Sequence, residues 1–150
     1  MAEQLLSFVK SLVTLPPQEE TKLRNHAKES HIKKGRFYIS EGQIPNKFAF
    51  VNQGLFRYMY RDHKGNEYTK NFITEGQFIT SYSAMASQSP SKMYIEALED
   101  SSLTELHYSD WLQLKNGDPC WNAFLVVVLE KAFAIKEQRE RDLLLLDAQQ

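Results

Sequence analysis

Apolar residues open the chain at helical spacing: Leu5, Leu6, Val9, Leu12 and Val13 share one face, with Glu3 and Lys10 among the polar positions. Pro16 and Pro17 end that helix. Glu19 and Glu20 then suit the first turn of a second helix, which the pattern carries to about Glu29. After this the texture changes, because Gly35, Gly42, Gly54, Gly65 and Gly76 recur at intervals of about one strand and one turn. Such punctuation predicts an all-β barrel or jelly roll. Between the glycines, Phe48 and Phe50 alternate with Ala49 and Val51, while Leu55, Arg57 and Met59 alternate with Phe56, Tyr58 and Tyr60, so each strand carries two distinct faces. Asp62 to Asn66 reads as a hairpin tip in which Gly65 takes positive φ. Tyr94 to Leu98 and Leu103 to His107 read as further strands, with Asp100, Ser101 and Ser102 as the turn between them.

Ser109 is placed to cap a short helix carrying Trp111, Leu112 and Leu114, which Gly117 closes. Asp118 and Pro119 start another, and no Gly or Pro interrupts it before about Asp147. At 1.5 Å per residue this helix is ~40 Å long, more than the width of a small barrel, so part of it projects. Trp121, Leu125, Val128, Ala132 and Ile135 fall at alternating steps of four and three, and Arg139 and Asp142 continue the register in polar form. This is a seam for a second helix, and a projecting seam has nothing in its own chain to cover it. A homodimer is expected. Lys136 to Asp142 otherwise reads as a solvated face, and Leu143 to Leu146 as an apolar patch near the end.

With 42% hydrophobic residues over 150 positions, the chain supports one well-buried core, and its formal net charge of -1 gives no basic excess for coating nucleic acid or a membrane. Cys120 is the single cysteine, so neither an internal disulfide nor a cysteine-based zinc or iron-sulfur site forms within one chain. The first helix does not read as a signal peptide, and the longest apolar run, Phe124 to Leu129, falls far short of the ~20 residues of a membrane span. A cytoplasmic protein without membrane contact is expected. His26, His31, His63 and His107 are scattered without metal-site pairing, and neither a G-x-S-x-G elbow nor a phosphate-cradling glycine motif occurs. These absences argue against an enzyme. His31, Lys33, Lys34 and Arg36 read as charges protecting a sheet edge.

One stretch differs from its surroundings. From Gly76 to Ala97 the chain reads GQFITSYSAMASQSPSKMYIEA, rich in hydroxyls at Thr80, Ser81, Ser83, Ser87, Ser89 and Ser91. It is either a solvated turn or a polar loop, held by strands, for an oxygen-rich anionic ligand.

Several local patterns occur in a definite order: the Lys34-Gly35 and Glu41-Gly42 turns, the run Phe50-Val51-Asn52-Gln53-Gly54-Leu55-Phe56-Arg57 leading a strand into G-x-x-R, Glu75-Gly76-Gln77-Phe78-Ile79 close to x-G-D-F-I, and Leu145-Leu146-Asp147. Together, over nearly the whole chain, they resemble the sensory domain of the Crp-Fnr superfamily of bacterial transcription regulators. The resemblance implies a mainly β fold with flanking helices, a double-stranded β-helix or jelly-roll barrel of the cyclic-nucleotide-binding type with N-terminal helices and a long C-terminal dimerisation helix. It makes residues 1–147 the sensory domain, with a helical N-terminus over 1–30, a β-roll over 31–108, and a short helix and the dimer helix over 109–147. Residues 148–150 would start a hinge to a DNA-binding domain that this chain lacks.

In that family the loop after the glycine is a phosphate-binding cassette, where a Gly-Glu pair holds the ribose and an Arg followed by Ser or Ala pairs with the cyclic phosphate. Counting from Gly76, Thr80 and Ser81 fall on the first pair, and Ser91 and Lys92 on the second. Both charged anchors are lost. Lys136 and Glu137 stand where dimer-helix hydroxyls contact the purine in cyclic-AMP-responsive members. The implied ligand site is Gly76, Gln77, Phe78, Thr80, Ser81, Tyr82, Ser83, Ser91 and Lys92, for an unidentified small anionic effector and not for cyclic AMP. No metal or cofactor is expected. The implied partner is a second copy, through Trp121, Leu125, Val128, Ala132, Ile135 and Arg139, with DNA contacted only by a separate domain. Two alternatives stand beside this reading: a ligand-free structural dimer module whose pocket is filled by Tyr82, Met85 and Tyr94, and a small β-barrel enzyme holding a metal.

Overall fold

Alternation along one strand sets the layering of the molecule, whose computed structural model describes residues 2–149. In β3 (Lys47–Gln53), Ala49 and Val51 turn to one side and Phe48 and Phe50 to the other. Both sides are covered. Ala49 and Val51 meet Ile39, Phe56, Tyr58, Ile79, Met93, Ile95, Ala97 and Leu103 between two sheets. Phe48 and Phe50 face helices.

The elements run α1 (Glu3–Leu12), α2 (Pro17–His26), β1 (Lys28–Ile32), β2 (Phe37–Ile39), β3, β4 (Leu55–Arg61), β5 (Glu67–Thr74), β6 (Phe78–Ile79), α3 (Tyr82–Ser87), β7 (Tyr94–Ala97), β8 (Ser101–His107), α4 (Tyr108–Lys115) and α5 (Cys120–Gln149). Eight strands form two four-stranded sheets, ordered β1-β8-β3-β6 and β2-β7-β4-β5, with every pairing antiparallel. The jelly-roll expectation therefore holds. The five glycines read as turn markers all take positive φ, and at the β4–β5 tip Asp62 accepts from the amides of Lys64 and Asn66 at 2.8 and 2.9 Å. A hydrogen bond from the Asn66 side chain at 3.0 Å, followed by these two, holds the Asp62 carboxyl below its ordinary range.

Helices close the outer face of the first sheet. Leu5, Leu6 and Val9 of α1 join Leu23, Trp111, Leu114, Trp121 and Phe124 over Phe50 and Leu106. Glu3 is hydrogen-bonded by Arg24, which ties α1 to α2. Asp118 caps α5 as expected, its carboxylate accepting from the Cys120 amide at 2.9 Å.

Several boundaries differ from the sequence reading. α2 stops at His26, because Ala27 is extended and Lys28 already pairs with Glu105, so the roll begins at residue 28 and not 31. Ser101 and Ser102 belong to β8, where they pair with Ile32 and His31. Ser109 is not a cap: α4 begins at Tyr108, preceded by His107, whose side chain makes no cap hydrogen bond. In β4 the strict alternation fails, since a register shift between Tyr58 and Met59 leaves both side chains buried. α5 continues past Asp147 to Gln149, and position 150 of the expected hinge lies outside the described residues.

The largest correction concerns α5. Trp121 was expected on the dimer seam, yet it is 1% exposed and its indole donates to the Glu19 carboxylate at 2.8 Å. Leu125 and Val128 also pack partly against the chain's own core. The seam's first half thus faces inward. Only Ala132, Ile135 and Arg139 of the expected set are exposed, and beside them Val126, Leu129 and Phe133 stand 53%, 41% and 61% exposed.

Candidate functional site

The cassette starts as an extension of β3. Gly76 donates to the Val51 carbonyl at 2.9 Å, and the Gln77 carbonyl accepts from Val51 at 2.9 Å. Gln77 also accepts at its side chain from the Thr74 amide at 3.0 Å. Next, Ile79 points between the sheets, while Phe78 joins rings of Phe8, Phe48, Phe50 and Phe124 at centroid distances of 5.3 to 6.2 Å. Within this chain Gln77 and Phe78 thus hold the segment to the roll.

What read as a polar loop contains a helix. α3 buries Ala84 and Met85, so apolar positions inside the serine-rich stretch anchor it to the roll. Thr80 and Ser81 precede it. The Tyr58 phenol accepts from the Thr80 amide at 3.0 Å and donates to the Thr80 carbonyl at 3.2 Å. Burial pushes that phenol up to about 12. Sequence reading treated Tyr58 only as a strand residue; no local signal marks a partner 22 positions away.

At the other end Ser91 is 2% exposed, and its hydroxyl donates to the Met93 carbonyl at 2.9 Å while accepting from the Met93 amide at 3.2 Å. Its backbone bonds Gly42 and Gln43, both at 2.8 Å. This serine closes a turn. Lys92 and Ser83 are exposed, Ser81 is buried, and Tyr82 is half-buried with its phenol raised by desolvation. The sequence-predicted site residues therefore separate into those bonded or packed into the roll (Gly76, Gln77, Phe78, Ser91), a joint of half-buried Thr80, buried Ser81 and half-buried Tyr82, and surface (Ser83, Lys92). Tyr94, proposed as a pocket filler, instead packs at a tilt against Phe37, ring centroids 5.3 Å apart, beneath the Arg61 guanidinium.

Arg57, from the G-x-x-R pattern, is a clamp. Its guanidinium donates to Glu96 at 2.7 Å and Glu67 at 3.0 Å, bridging β7, β4 and β5. A groove of about 420 Å³ lies elsewhere, between α1 and β3, lined by Glu3, Gln4, Ser7, Phe8, Phe50, Asn52, Glu75 and Gly76. Only Gly76 is common to groove and cassette. Glu75 there accepts from the Thr74 hydroxyl at 2.5 Å and the Gly54 amide at 2.9 Å, which in that order hold its carboxyl below the ordinary range.

Removing one atom tests the Tyr58 joint. In Tyr58→Phe two Thr80 backbone groups lose their partner, and the expected loss is about 1–3 kcal/mol of stability, read from urea unfolding by circular dichroism.

A two-sheet antiparallel roll, a glycine-led segment followed by a short helix, and a long terminal helix define a β-roll domain. The cyclic nucleotide-binding domain family matches residues 29–118, and the chain belongs to that family. Among solved structures, a cyclic nucleotide-binding domain from Methylobacillus flagellatus is similar at a TM-score of 0.77 and 15% identity, covering 95% of this chain and 82% of that one. The sensor domain of the transcriptional regulator DNR from Pseudomonas aeruginosa gives 0.72 and 15%, covering 93% and 91%. The Thermus thermophilus catabolite activator protein gives 0.70 and 21%, with 87% of this chain covered but only 61% of that protein. At these identities the likeness is one of fold. No curated protein sequence matches the chain significantly. Among the described residues, no helix is long and apolar enough to cross a membrane.

Proposed function

We propose that this chain is the effector-sensing and dimerisation domain of a Crp-Fnr-type transcription regulator, acting by binding and not by catalysis. Its effector is a small anion other than cyclic AMP. The observation that carries this reading is α5: among the described residues its last buried one is Phe124, yet Val126, Leu129 and Phe133 follow at steps of three and four as exposed apolar positions. A stripe at that spacing suits a second helix, and the isologous partner is the same stripe on another copy. In the dimer the effector would bias two arrangements of the paired helices, read by a DNA-binding domain outside these residues. That family structures include a sensor domain of a transcriptional regulator supports the assignment.

Phe133→Glu is the direct test. Two carboxylates facing each other in an apolar seam are expected to raise the dimer dissociation constant about a hundredfold, equivalent to ~3 kcal/mol, in sedimentation equilibrium. If the unmodified chain sediments as a monomer at high concentration, the proposal has lost its transmitter.

A second reading keeps the fold and the dimer but has no effector, favoured by the internal satisfaction of Ser91 and of the Thr80 backbone. Thermal unfolding with phosphorylated metabolites separates the two. A ligand at a hundred times its Kd contributes about 2.7 kcal/mol, an upward shift of roughly 5–10 °C for a chain of this size.

A further inference from the structure

Between α1 and β3 the roll leaves a groove of about 420 Å³, within the size of small-molecule sites, roughly 300 to 1,000 Å³. Its apolar part is aromatic. Phe50 of β3 is 3% exposed, and its ring centroid lies 5.4 Å from that of half-buried Phe8 on α1. Gln4 and Ser7, also on α1, line the groove beside Phe8, and neither side chain makes a hydrogen bond among the described residues. Glu75 and Gly76, which lead into the cassette, belong to the same lining.

Charge in this lining has one sign. None of its eight residues is Lys, Arg or His, and two are glutamates. The two carboxylates differ in what compensates them. Glu3 is hydrogen-bonded by Arg24. Glu75 is held instead by neutral donors on both oxygens, the Thr74 hydroxyl at 2.5 Å and the Gly54 amide at 2.9 Å, and no ion pair reaches it among the described residues. Those donors keep its carboxyl below the ordinary range, so the group is ionised at neutral pH. A carboxylate fixed in place, without a counter-cation, at the edge of an aromatic groove complements an organic cation: the ammonium gains a charge-assisted hydrogen bond, and the rings accept both its charge and its apolar body. An anion would meet two carboxylates and no cation in the lining.

We propose that this groove is a separate ligand site, for a small organic amine whose ammonium pairs with Glu75 and whose apolar body lies against Phe8 and Phe50. The bounded volume suits a free molecule. Its ligand is opposite in sign to the effector proposed for the cassette, and the two sites share only Gly76. Because the groove is built from α1, β3 and the turn after β5, an occupant would fasten the first helix to the segment that opens the cassette. None of this depends on dimerisation.

The test titrates the isotopically labelled 150-residue chain with phenethylammonium chloride, following backbone amide chemical shifts, with 2-phenylethanol and sodium phenylacetate as neutral and anionic counterparts at matched ionic strength. Saturable shifts at Ser7, Phe8 and Gly76 are expected with the ammonium compound alone. Glu75→Gln, which keeps an acceptor for the Gly54 amide, is expected to weaken binding about tenfold or more, while Glu41→Gln leaves it unchanged. Ser7→Phe fills the groove from the exposed side of α1 without altering the Glu75 hydrogen bonds, and is expected to abolish binding even if Glu75→Gln fails to fold. Equal shifts with the alcohol and the ammonium compound, no saturable shift with any of the three, or undiminished binding in Ser7→Phe overturns the proposal. Saturation by a triarginine peptide with none by phenethylammonium also overturns it, giving the groove to a partner protein's side chain. Each of these outcomes leaves the regulator-domain reading standing, since that reading is tested by sedimentation of the dimer.

Discussion

Trp121→Ala is expected to lower the unfolding free energy by about 3–5 kcal/mol, the usual range for emptying an aromatic site in a packed core. Trp121 is the largest fully buried side chain, and its ring meets Trp111 at 6.0 Å and Phe124 at 6.4 Å, both edge-on. Alanine would leave a cavity where α5, α4 and α2 converge, and would strip the indole donor from Glu19, a carboxylate only 3% exposed. Since natural domains hold about 5–15 kcal/mol in total, much of the stability would go. Urea unfolding followed by far-ultraviolet circular dichroism reads the loss without relying on tryptophan emission. Trp121→Phe separates the two contributions, retaining most of the ring while deleting the donor. A shift below 1 kcal/mol in Trp121→Ala would mean that the start of α5 does not dock on the roll.

The second large effect belongs to Gly54, between β3 and β4, whose φ is +144°. A Cβ built there would lie 2.0 Å from Ser101 Oγ, 2.4 Å from its Cβ and 3.1 Å from its Cα. Rotating the serine relieves only the first contact. Gly54→Ala is therefore expected to lose about 2–5 kcal/mol, combining the strain of positive φ with overpacking. Gly65 gives the contrast: φ is +85° and no atom lies within 4 Å of a Cβ there, so Gly65→Ala should lose only the backbone strain, ~1 kcal/mol. Thermal unfolding of the two variants side by side measures the difference. Equal losses would show that the Gly54–Ser101 approach is not rigid.

How much of this was legible in advance depends on sequence distance. The helix of Leu5, Leu6 and Val9, the two-faced β3 and the Asp62 turn were readable because each arises from contacts within a few residues. β4 was misread at Met59 because a bulge is decided by the partner strand. Trp121 was assigned to the wrong surface for a related reason. Heptad-like spacing reports that one face is apolar, not which body covers it, and Glu19 lies 102 positions away.

The candidate site divides in the same way. By itself the sequence determined a β-roll between helices, because strand period and turn glycines are local properties, and the reading of Thr80-Ser81 and Ser91-Lys92 as replacements for the charged pairs of the resembling family stays a proposal. Only the tertiary structure decided that Ser91 satisfies itself in a turn, that Tyr58 holds the Thr80 backbone, and that Trp121 turns inward onto Glu19. Hydrogen bonds and charges act over a few ångströms of space, and which residues come that close is set by strand pairing and by the docking of α5.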